Sequence, residues 1–351
     1  MRKSVLVATA TLAAFCTPPS GASAETLNLL IWESYIDDAI LKEWTEKTGY
    51  EVHQTYYDSG DARDQVLSDP LSDVDLVVTG ENGARLFGER GVLTALTPEN
   101  VPSLSEYDDS WTRRCGGYGV PYLWGTMGIL YRSDAVKTAP ASWADLMAPA
   151  EPMRNHIAMY QDHNEAFVPA LVLLGKSINA NDNETLKEAY QLMKAQEPFV
   201  LTYDYVITSI QNPEVGPEIQ MALGYSGDQH VLNEKVGTEG LWHYAVPKEG
   251  TLFWLDCMAL TERSKKMPQA LDLLNHISNA KNAARNAIAL NMPIANREAM
   301  SLLPVEMRNN PEIFTAPEIL AKSQHQEELT IQSVQSRRRI ISSLVQLRDS
   351  R

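Results

Sequence analysis

Motifs of the common enzyme classes are absent from the sequence. It contains no H-E-x-x-H, no G-x-S-x-G, no P-loop and no G-x-G-x-x-G segment. The seven histidines are scattered and no two cysteines form a C-x-x-C pair, so a zinc site is not expected. Because many enzymes lack such motifs, their absence favours a binding protein without excluding catalysis. We expect a protein that is not an enzyme and that holds no metal and no cofactor.

Long apolar runs are also scarce, and the one candidate lies at the N-terminus. Arg2 and Lys3 precede the apolar stretch Val5–Phe15. Ala22 and Ala24 then provide the small-x-small pattern that signal peptidase reads. Together these features predict a signal peptide over residues 1–24, with cleavage after Ala24.

Two alternatives to a cleaved signal peptide are weaker. A membrane anchor would need about 20 apolar residues, and this stretch is too short. A lipoprotein would carry its lipid on Cys16, but the bulky Phe15 directly before it disfavours that processing. We therefore expect a periplasmic protein.

Basic residues are few beside acidic ones. The chain has 30 lysines and arginines against 45 aspartates and glutamates, a net charge of −15 at pH 7. A surface of this sign repels nucleic acid and attracts cations. We expect no nucleic-acid partner, although the charge would equally be explained by a need for solubility.

Cysteine is rare, with only three in the chain. Cys115 and Cys257 would remain after cleavage of the signal peptide. An exported protein with an even number of cysteines favours a disulfide. The alternative is a pair of buried free thiols.

Strand and helix patterns alternate along the chain. The predicted strands include Thr26–Trp32, Glu51–Tyr56, Val74–Val78, Gln220–Tyr225 and Gly250–Leu260, and the predicted helices include Asp37–Thr48 and Asn183–Ala195. Such alternation predicts an α/β fold with a parallel-rich sheet covered on both faces. The length suits two domains. Since no long Gly/Ser or Pro linker separates the halves, we expect two lobes that share a cleft.

Acidic residues stand beside aromatic or polar ones in four segments, three of them at or near strands. The segments are Trp32–Tyr35, Asp162–Glu165, Tyr225–Asp228 and Phe253–Asp256. Ligands of open α/β sheets bind beyond the carboxyl ends of strands. Carboxylates accept charge-assisted hydrogen bonds from ammonium groups, and aromatic faces attract the same cations. The pattern predicts a site for a flexible organic cation.

Each segment also has a purely structural interpretation. Asp162 and Glu165 have the spacing of a capping box, with Asp162 as a helix N-cap. Trp254 could be a core residue, and Asp228 an ordinary turn residue. Trp32 and Tyr35 could simply pack at a strand end.

The segments resemble those of the bacterial periplasmic spermidine/putrescine-binding proteins, in order, over nearly the whole chain after residue 24. Trp32–Tyr35 is similar to that family's Trp-Ser/Thr-Asp/Glu-Tyr segment. Val120–Thr126 is similar to the segment that crosses between its lobes, and Ser142–Leu146 also fits. Pro247–Asp256 is the most specific match.

The resemblance implies a type II periplasmic binding fold, with two α/β lobes and mixed sheets around a ligand cleft. One lobe would hold residues 25–127 and 253–300, and the other residues 131–250 and 301–351. A Cys115–Cys257 disulfide would then lie within the first lobe. Some members of the family deliver ligand to an inner-membrane ABC permease. We expect a monomer with that function, or alternatively a norspermidine or spermidine sensor that docks on the periplasmic domain of a membrane signalling protein.

The resemblance also assigns ligand-binding residues. Trp32 and Trp254 would sandwich a methylene chain, while Asp162, Glu165 and Asp256 would bind ammonium groups. The full set of expected ligand-binding residues is Trp32, Glu33, Ser34, Tyr35, Asp162, Glu165, Tyr225, Asp228, Trp254, Asp256 and Gln326.

Two departures from the family lie at one end of this predicted site. The family acid of the first segment is replaced by Ser34, and the acid here is Glu33. If the segment is extended, Glu33 points the other way. Gly80–Asn82 replaces the family's Ser-x-aromatic segment. These changes would suit a different polyamine, such as norspermidine.

Overall fold

The computed structural model describes residues 25–57 and 59–351. The predicted signal peptide, residues 1–24, lies outside the described residues. In the described part of the chain, no helix combines the length and the apolar character that crossing a membrane requires.

Strands and helices alternate in the first two-thirds of the chain, and the remainder is mainly helical. The strands are β1 (Thr26–Trp32), β2 (Glu51–Tyr57), β3 (Leu76–Gly80), β4 (Val120–Arg132), β5 (Ile157–Ala158), β6 (Val200–Thr202), β7 (Met221–Tyr225), β8 (Trp242–Ala245) and β9 (Phe253–Leu260). The helices are α1 (Asp38–Thr48), α2 (Gly60–Ser68), α3 (Glu81–Glu89), α4 (Asp109–Thr112), α5 (Trp143–Met147), α6 (Val168–Leu173), α7 (Asn183–Gln196), α8 (Val206–Ser209), α9 (Asp228–Val236), α10 (Met267–Ser278), α11 (Ala280–Leu290), α12 (Arg297–Leu302), α13 (Val305–Arg308), α14 (Pro317–Leu320) and α15 (Ile331–Asp349).

Strand β4 joins two sheets. Its first part, Val120–Thr126, pairs antiparallel with β9, which in turn pairs with β3. Its second part, Met127–Arg132, pairs antiparallel with β7 and β8. We call β2-β1-β3-β9 with the first part of β4 the first sheet, and β8, the second part of β4, β7, β5 and β6 the second sheet. Because each contains parallel and antiparallel pairs, the mixed α/β fold expected from the sequence is confirmed.

The predicted elements form where their side-chain patterns allow burial. Helix α1 begins after Asp37, whose carboxylate accepts the Ala39 N–H, and it buries Ile40, Leu41 and Trp44. The side chain of an N-cap aspartate satisfies a backbone donor that the helix leaves free. The predicted strand over 250–260 begins later than expected, at Phe253. Gly250 has a φ of 92° and donates its N–H to the Pro247 carbonyl, so the chain turns there before it extends.

Separate apolar clusters underlie the two sheets. One contains Leu29, Trp44 and Leu255, and another contains Ile129, Trp143 and Leu223. Leu303 and Ile313 pack in the first of these clusters, although the sequence placed residues 301–351 with the second lobe. We propose that this boundary lies between Leu320, which packs against the first cluster, and α15, whose Ile341 and Leu344 pack in the second.

A disulfide joins Cys115 to Cys257, with a Cα–Cα distance of 5.9 Å. Both cysteines are fully buried in the cluster under the first sheet. A Cβ on Gly119 would lie 2.8 Å from the Cys257 Cβ, so only glycine lets the chain pass the bridge there. The predicted pairing is confirmed, and it fixes β9 to the segment that leads into β4.

Candidate functional site

Three of the four acidic-aromatic segments lie at strand ends that meet near the junction of the two sheets. Asp256 pairs in register with Gly80, the last residue of β3, and Gly125 of β4 pairs with Trp254. A Cβ on Gly125 would lie 2.5 Å from Cζ2 of Trp254 and 2.4 Å from Oγ of Ser226. The close approach at Gly125 therefore brings the Trp254 indole of the first sheet against the turn that follows β7 of the second.

In the first sheet, Asp256 is the centre of a polar group. Its Oδ2 accepts a hydrogen bond from the Tyr35 hydroxyl at 3.0 Å. Burial raises the pKa of Asp256 to about 6, although the Tyr35 hydrogen bond and the charge of Arg63 act in the opposite direction. Burial and the neighbouring carboxylate also raise the pKa of Tyr35, so this phenol remains a hydrogen-bond donor. The carboxylate is thus desolvated and stabilised mainly by neutral or distant partners.

Aromatic rings surround this carboxylate. The Trp32 and Tyr57 rings lie 4.3 Å apart between centroids. Tyr57 donates its hydroxyl hydrogen to the Val78 carbonyl at 2.7 Å, which fixes the ring against β3. Trp32 and Trp254 are both half-buried. We refer to Trp32, Tyr35, Tyr57, Trp254 and Asp256 as the Asp256 cluster.

The second sheet carries a matching group. Oδ2 of Asp228 accepts hydrogen bonds from the Tyr205 hydroxyl at 2.5 Å and from the Tyr225 backbone N–H at 2.8 Å. The ring centroid of Tyr205 lies 5.3 Å from that of Tyr160 and 6.2 Å from that of Tyr225. Burial raises the pKa of Asp228 to about 6.

Glu165 completes this second group. Its pKa is raised to about 8, first by burial and then by the negative charge of Asp162, while the Tyr225 hydroxyl acts in the opposite direction. We refer to Tyr160, Glu165, Tyr205, Tyr225 and Asp228 as the Asp228 cluster. An approaching cation stabilises the ionised form of a carboxyl group that burial has desolvated, because the cation offsets the lost hydration.

Asp162 has a local structural role. Its Oδ1 accepts the backbone N–H groups of Asn164 and Glu165 at 2.7 and 3.0 Å, at the start of the 3₁₀ turn Glu165–Phe167. This half of the capping-box interpretation agrees with the geometry. A contact between Asp162 and a ligand stays a prediction.

The Trp32–Tyr35 segment is not extended beyond Trp32. Glu33 and Ser34 form an exposed turn, and Ser34 has a φ of 57°. The expectation that Glu33 points away from the site, which assumed an extended chain, therefore does not apply. Tyr35 returns to the interior and joins Asp256.

Gln326 belongs to a segment that contacts both helix α3 and the loop before helix α7. Its carbonyl accepts a hydrogen bond from Nδ2 of Asn82 at 2.5 Å, and the neighbouring His325 carbonyl accepts one from Nδ2 of Asn179 at 2.8 Å. Gln326 and Glu165 line the same small void. Asn82 of the altered Gly80–Asn82 segment thus contacts the segment that contains His325 and Gln326.

Sequence reasoning missed Tyr57, Arg63, Tyr160 and Tyr205. Tyr57 ends β2 directly before an aspartate, and Tyr205 directly follows Asp204 shortly after β6. The search for acids beside aromatic residues at strand ends would have found both, had it been applied to every strand. Arg63 and Tyr160 carry no such signal.

A profile of the bacterial extracellular solute-binding proteins matches residues 39–315. The chain belongs to this family. The family's location outside the cytoplasm confirms the expected export. It is a family of solute-binding proteins, which agrees with the absence of catalytic motifs from the sequence.

Several characterised members of the family are similar over almost the whole chain. The norspermidine sensor of Vibrio cholerae is 32% identical over 324 residues, covering 92% of this chain and 89% of that protein. Spermidine/putrescine-binding periplasmic protein 1 of Haemophilus influenzae is 26% identical, with 88% of this chain and 86% of that protein covered. The resemblance described from the sequence is thereby confirmed.

Solved structures of the family confirm the fold. The spermidine/putrescine ABC transporter substrate-binding protein of Streptococcus pneumoniae superimposes with a TM-score of 0.80 at 22% identity. The match covers 93% of this chain and 100% of that one. The expected type II periplasmic binding fold is therefore correct.

Proposed function

We propose that this solute-binding protein captures a linear polyamine in the periplasm and delivers it to an inner-membrane ABC permease, without chemical change. The observation that carries the proposal is the pair of half-buried carboxylate clusters at adjacent edges of the two sheets. Each cluster combines desolvated acid groups with aromatic rings, which is the environment that ammonium groups and methylenes require together.

The two clusters supply different parts of the contact. Asp256 would accept one ammonium group, and Glu165 with Asp228 would accept another. Trp32 and Trp254 would cover the methylenes between them. Spermidine and norspermidine fit this description, and putrescine can place its two ammonium groups at one or both clusters, because each amine joins protonated nitrogens by short aliphatic spacers. Their similar chemistry explains why named relatives bind several of them.

Titration calorimetry with these three amines tests the proposal directly. We expect micromolar or tighter binding, which corresponds to about −8 kcal/mol, from a few ion pairs and aromatic contacts after the cost of ordering. Glutamate serves as the control, because its carboxylates are repelled by the same acid groups. If none of the three amines binds at millimolar concentration, the proposal is wrong.

A second candidate changes the partner but not the ligand. The chain shares 32% identity with a norspermidine sensor, against 26% with the Haemophilus binding protein. In this alternative the liganded protein docks on the periplasmic domain of a membrane signalling protein. Uptake of labelled spermidine distinguishes the two, since deletion of the gene abolishes uptake only if the chain serves a permease.

A further inference from the structure

Arg63 lies beside the Asp256 cluster and is held there by several contacts. The residue is in the first turns of α2, and its side chain is only 12% exposed. Its Nε and Nη2 donate to Oδ1 of Asp64 at 2.9 and 2.7 Å. The guanidinium carbon lies 5.7 Å from the centre of the Tyr57 ring. Arg63 is therefore a fixed, largely buried guanidinium, whose charge Asp64 offsets in part.

Distances to two glycines locate this guanidinium. The Nη2 atom lies 3.6 Å from the place of a Cβ on Gly60 and 3.5 Å from that of a Cβ on Gly83. Gly83 is in the first turn of α3, which begins where β3 ends, and the last strand residue, Gly80, pairs with Asp256. The Arg63 head group is thus placed between α2 and α3, on the side of Asp256.

The charge of Arg63 acts on the cluster. Burial raises the pKa of both Asp256 and Tyr57, and the charge of Arg63 opposes this rise, so the guanidinium acts electrostatically on both groups. At the other cluster, the groups that shift the pKa values of Glu165 and Asp228 in the described part of the chain are acidic, phenolic or backbone groups. Asp256 therefore has a resident cation beside it, whereas the buried Arg337 at the other end lies over Phe167 and acts on Asp162, not on Glu165 or Asp228.

We propose that Arg63 is a specificity-determining residue that partly neutralises Asp256 and so reduces the preference for triamines over diamines. This inference rests on the proposed polyamine function. A triamine that spans both clusters must place an ammonium near Asp256 and hence near Arg63. A diamine can instead occupy the Asp228 cluster alone and so need not approach Arg63.

Replacement of Arg63 by a neutral residue tests this. Two variants, Arg63→Gln and Arg63→Met, remove the charge, and the methionine retains an aliphatic stem against Tyr57. Arg63→Lys keeps the charge. Arg90→Gln is the matched control, because Arg90 is an exposed arginine at the end of α3. Circular dichroism and thermal unfolding without ligand establish that each variant is folded.

The readout is the ratio of spermidine to putrescine affinity, measured by calorimetry at about pH 8, where Asp256 is ionised. In both neutral variants we expect spermidine to bind roughly tenfold more tightly, because removing one like charge within about a nanometre has an effect of this size. The affinity for putrescine should change by less than about threefold. The gain should shrink at high salt. Arg63→Lys and Arg90→Gln should keep the parental ratio.

Two results would overturn the inference. One is an unchanged ratio in both neutral variants, and the other is weaker spermidine binding in a neutral variant that is folded. Failure of the proposed function looks different, because then the parent protein itself binds neither amine.

Discussion

Replacing Asp256 with asparagine removes one negative charge from the site and leaves the side-chain shape almost unchanged. The asparagine Oδ1 can still accept the hydrogen bond that Tyr35 donates to Asp256 at 3.0 Å. The substitution therefore isolates the charge. Truncating one partner of a buried charge pair costs about 2–5 kcal/mol of binding free energy, so polyamine affinity should fall by roughly 30-fold or more.

The same change should stabilise the protein without ligand. Burial raises the pKa of Asp256 from 3.8 to about 6. The folded state therefore holds its proton over a range in which the unfolded chain has lost it. Stability falls as pH rises between these values, and the full cost of the buried charge is present above about pH 6. Since tenfold in proton affinity is worth about 1.4 kcal/mol, Asp256→Asn should add up to about 3 kcal/mol to the free energy of unfolding at pH 8.

Urea unfolding and calorimetry, both at pH 8, measure the two effects. Asp109→Asn is the control, because the Asp109 side chain is 89% exposed and, in the described part of the chain, pairs only with Arg113, which is also exposed. It should change neither quantity. Binding by Asp256→Asn within about twofold of the parent, or a lower free energy of unfolding without ligand, would refute the reasoning.

Three further predictions concern pH, the disulfide and closure. The pKa is raised to about 8 for Glu165 and to about 6 for Asp228 and Asp256. Since these groups must ionise to receive a cation, polyamine affinity should rise from pH 5 to pH 8. Calorimetry in buffers of different ionisation enthalpy should detect the protons released on binding. Reduction of the Cys115–Cys257 bridge should cost about 2–5 kcal/mol of stability, measured by urea unfolding with and without reductant, and an equal midpoint in both would contradict this. Spermidine should decrease the radius of gyration in solution scattering and raise the melting temperature, because closure adds contacts that the open form lacks, whereas glutamate should do neither. If no polyamine changes either observable, the polyamine proposal fails.

The sequence predicted the fold well where periodicity and burial coincide. Thr26–Trp32 forms the strand at its predicted bounds, because Leu27, Leu29 and Ile31 pack in one apolar cluster and Leu30, on the opposite face, packs in another. The strand expected over 250–260 was wrong at its start, since the positive φ of Gly250 is a backbone property that hydrophobic pattern does not carry. The place of Leu303 and Ile313 in the first cluster depends on how the last helices fold back, which no local pattern indicates.

The candidate site was predicted less completely. Trp254 and Asp256 were found because an acid stands beside aromatic residues in a predicted strand and because the segment resembles that of the family. Arg63 was missed because it reaches the site from helix α2, and no acid beside an aromatic residue marks its position. The sequence marked Gly80–Asn82 as a departure from the family. The hydrogen bond from Asn82 to the Gln326 carbonyl could not be predicted, because the two residues are far apart in the chain.

The position of β9 has a consequence for the order in which the molecule can be completed. Strand β9 lies inside the first sheet, between β3 and β4, yet all of residues 133–252 are synthesised before it. Until Phe253–Leu260 emerges, β3 has one unpaired edge made of the buried residues Leu76, Val77 and Val78. Exposed apolar edges of this kind invite association with other chains. A nascent or truncated chain that ends before Phe253 therefore lacks an inner strand of its first sheet and also the cysteine that would fasten it.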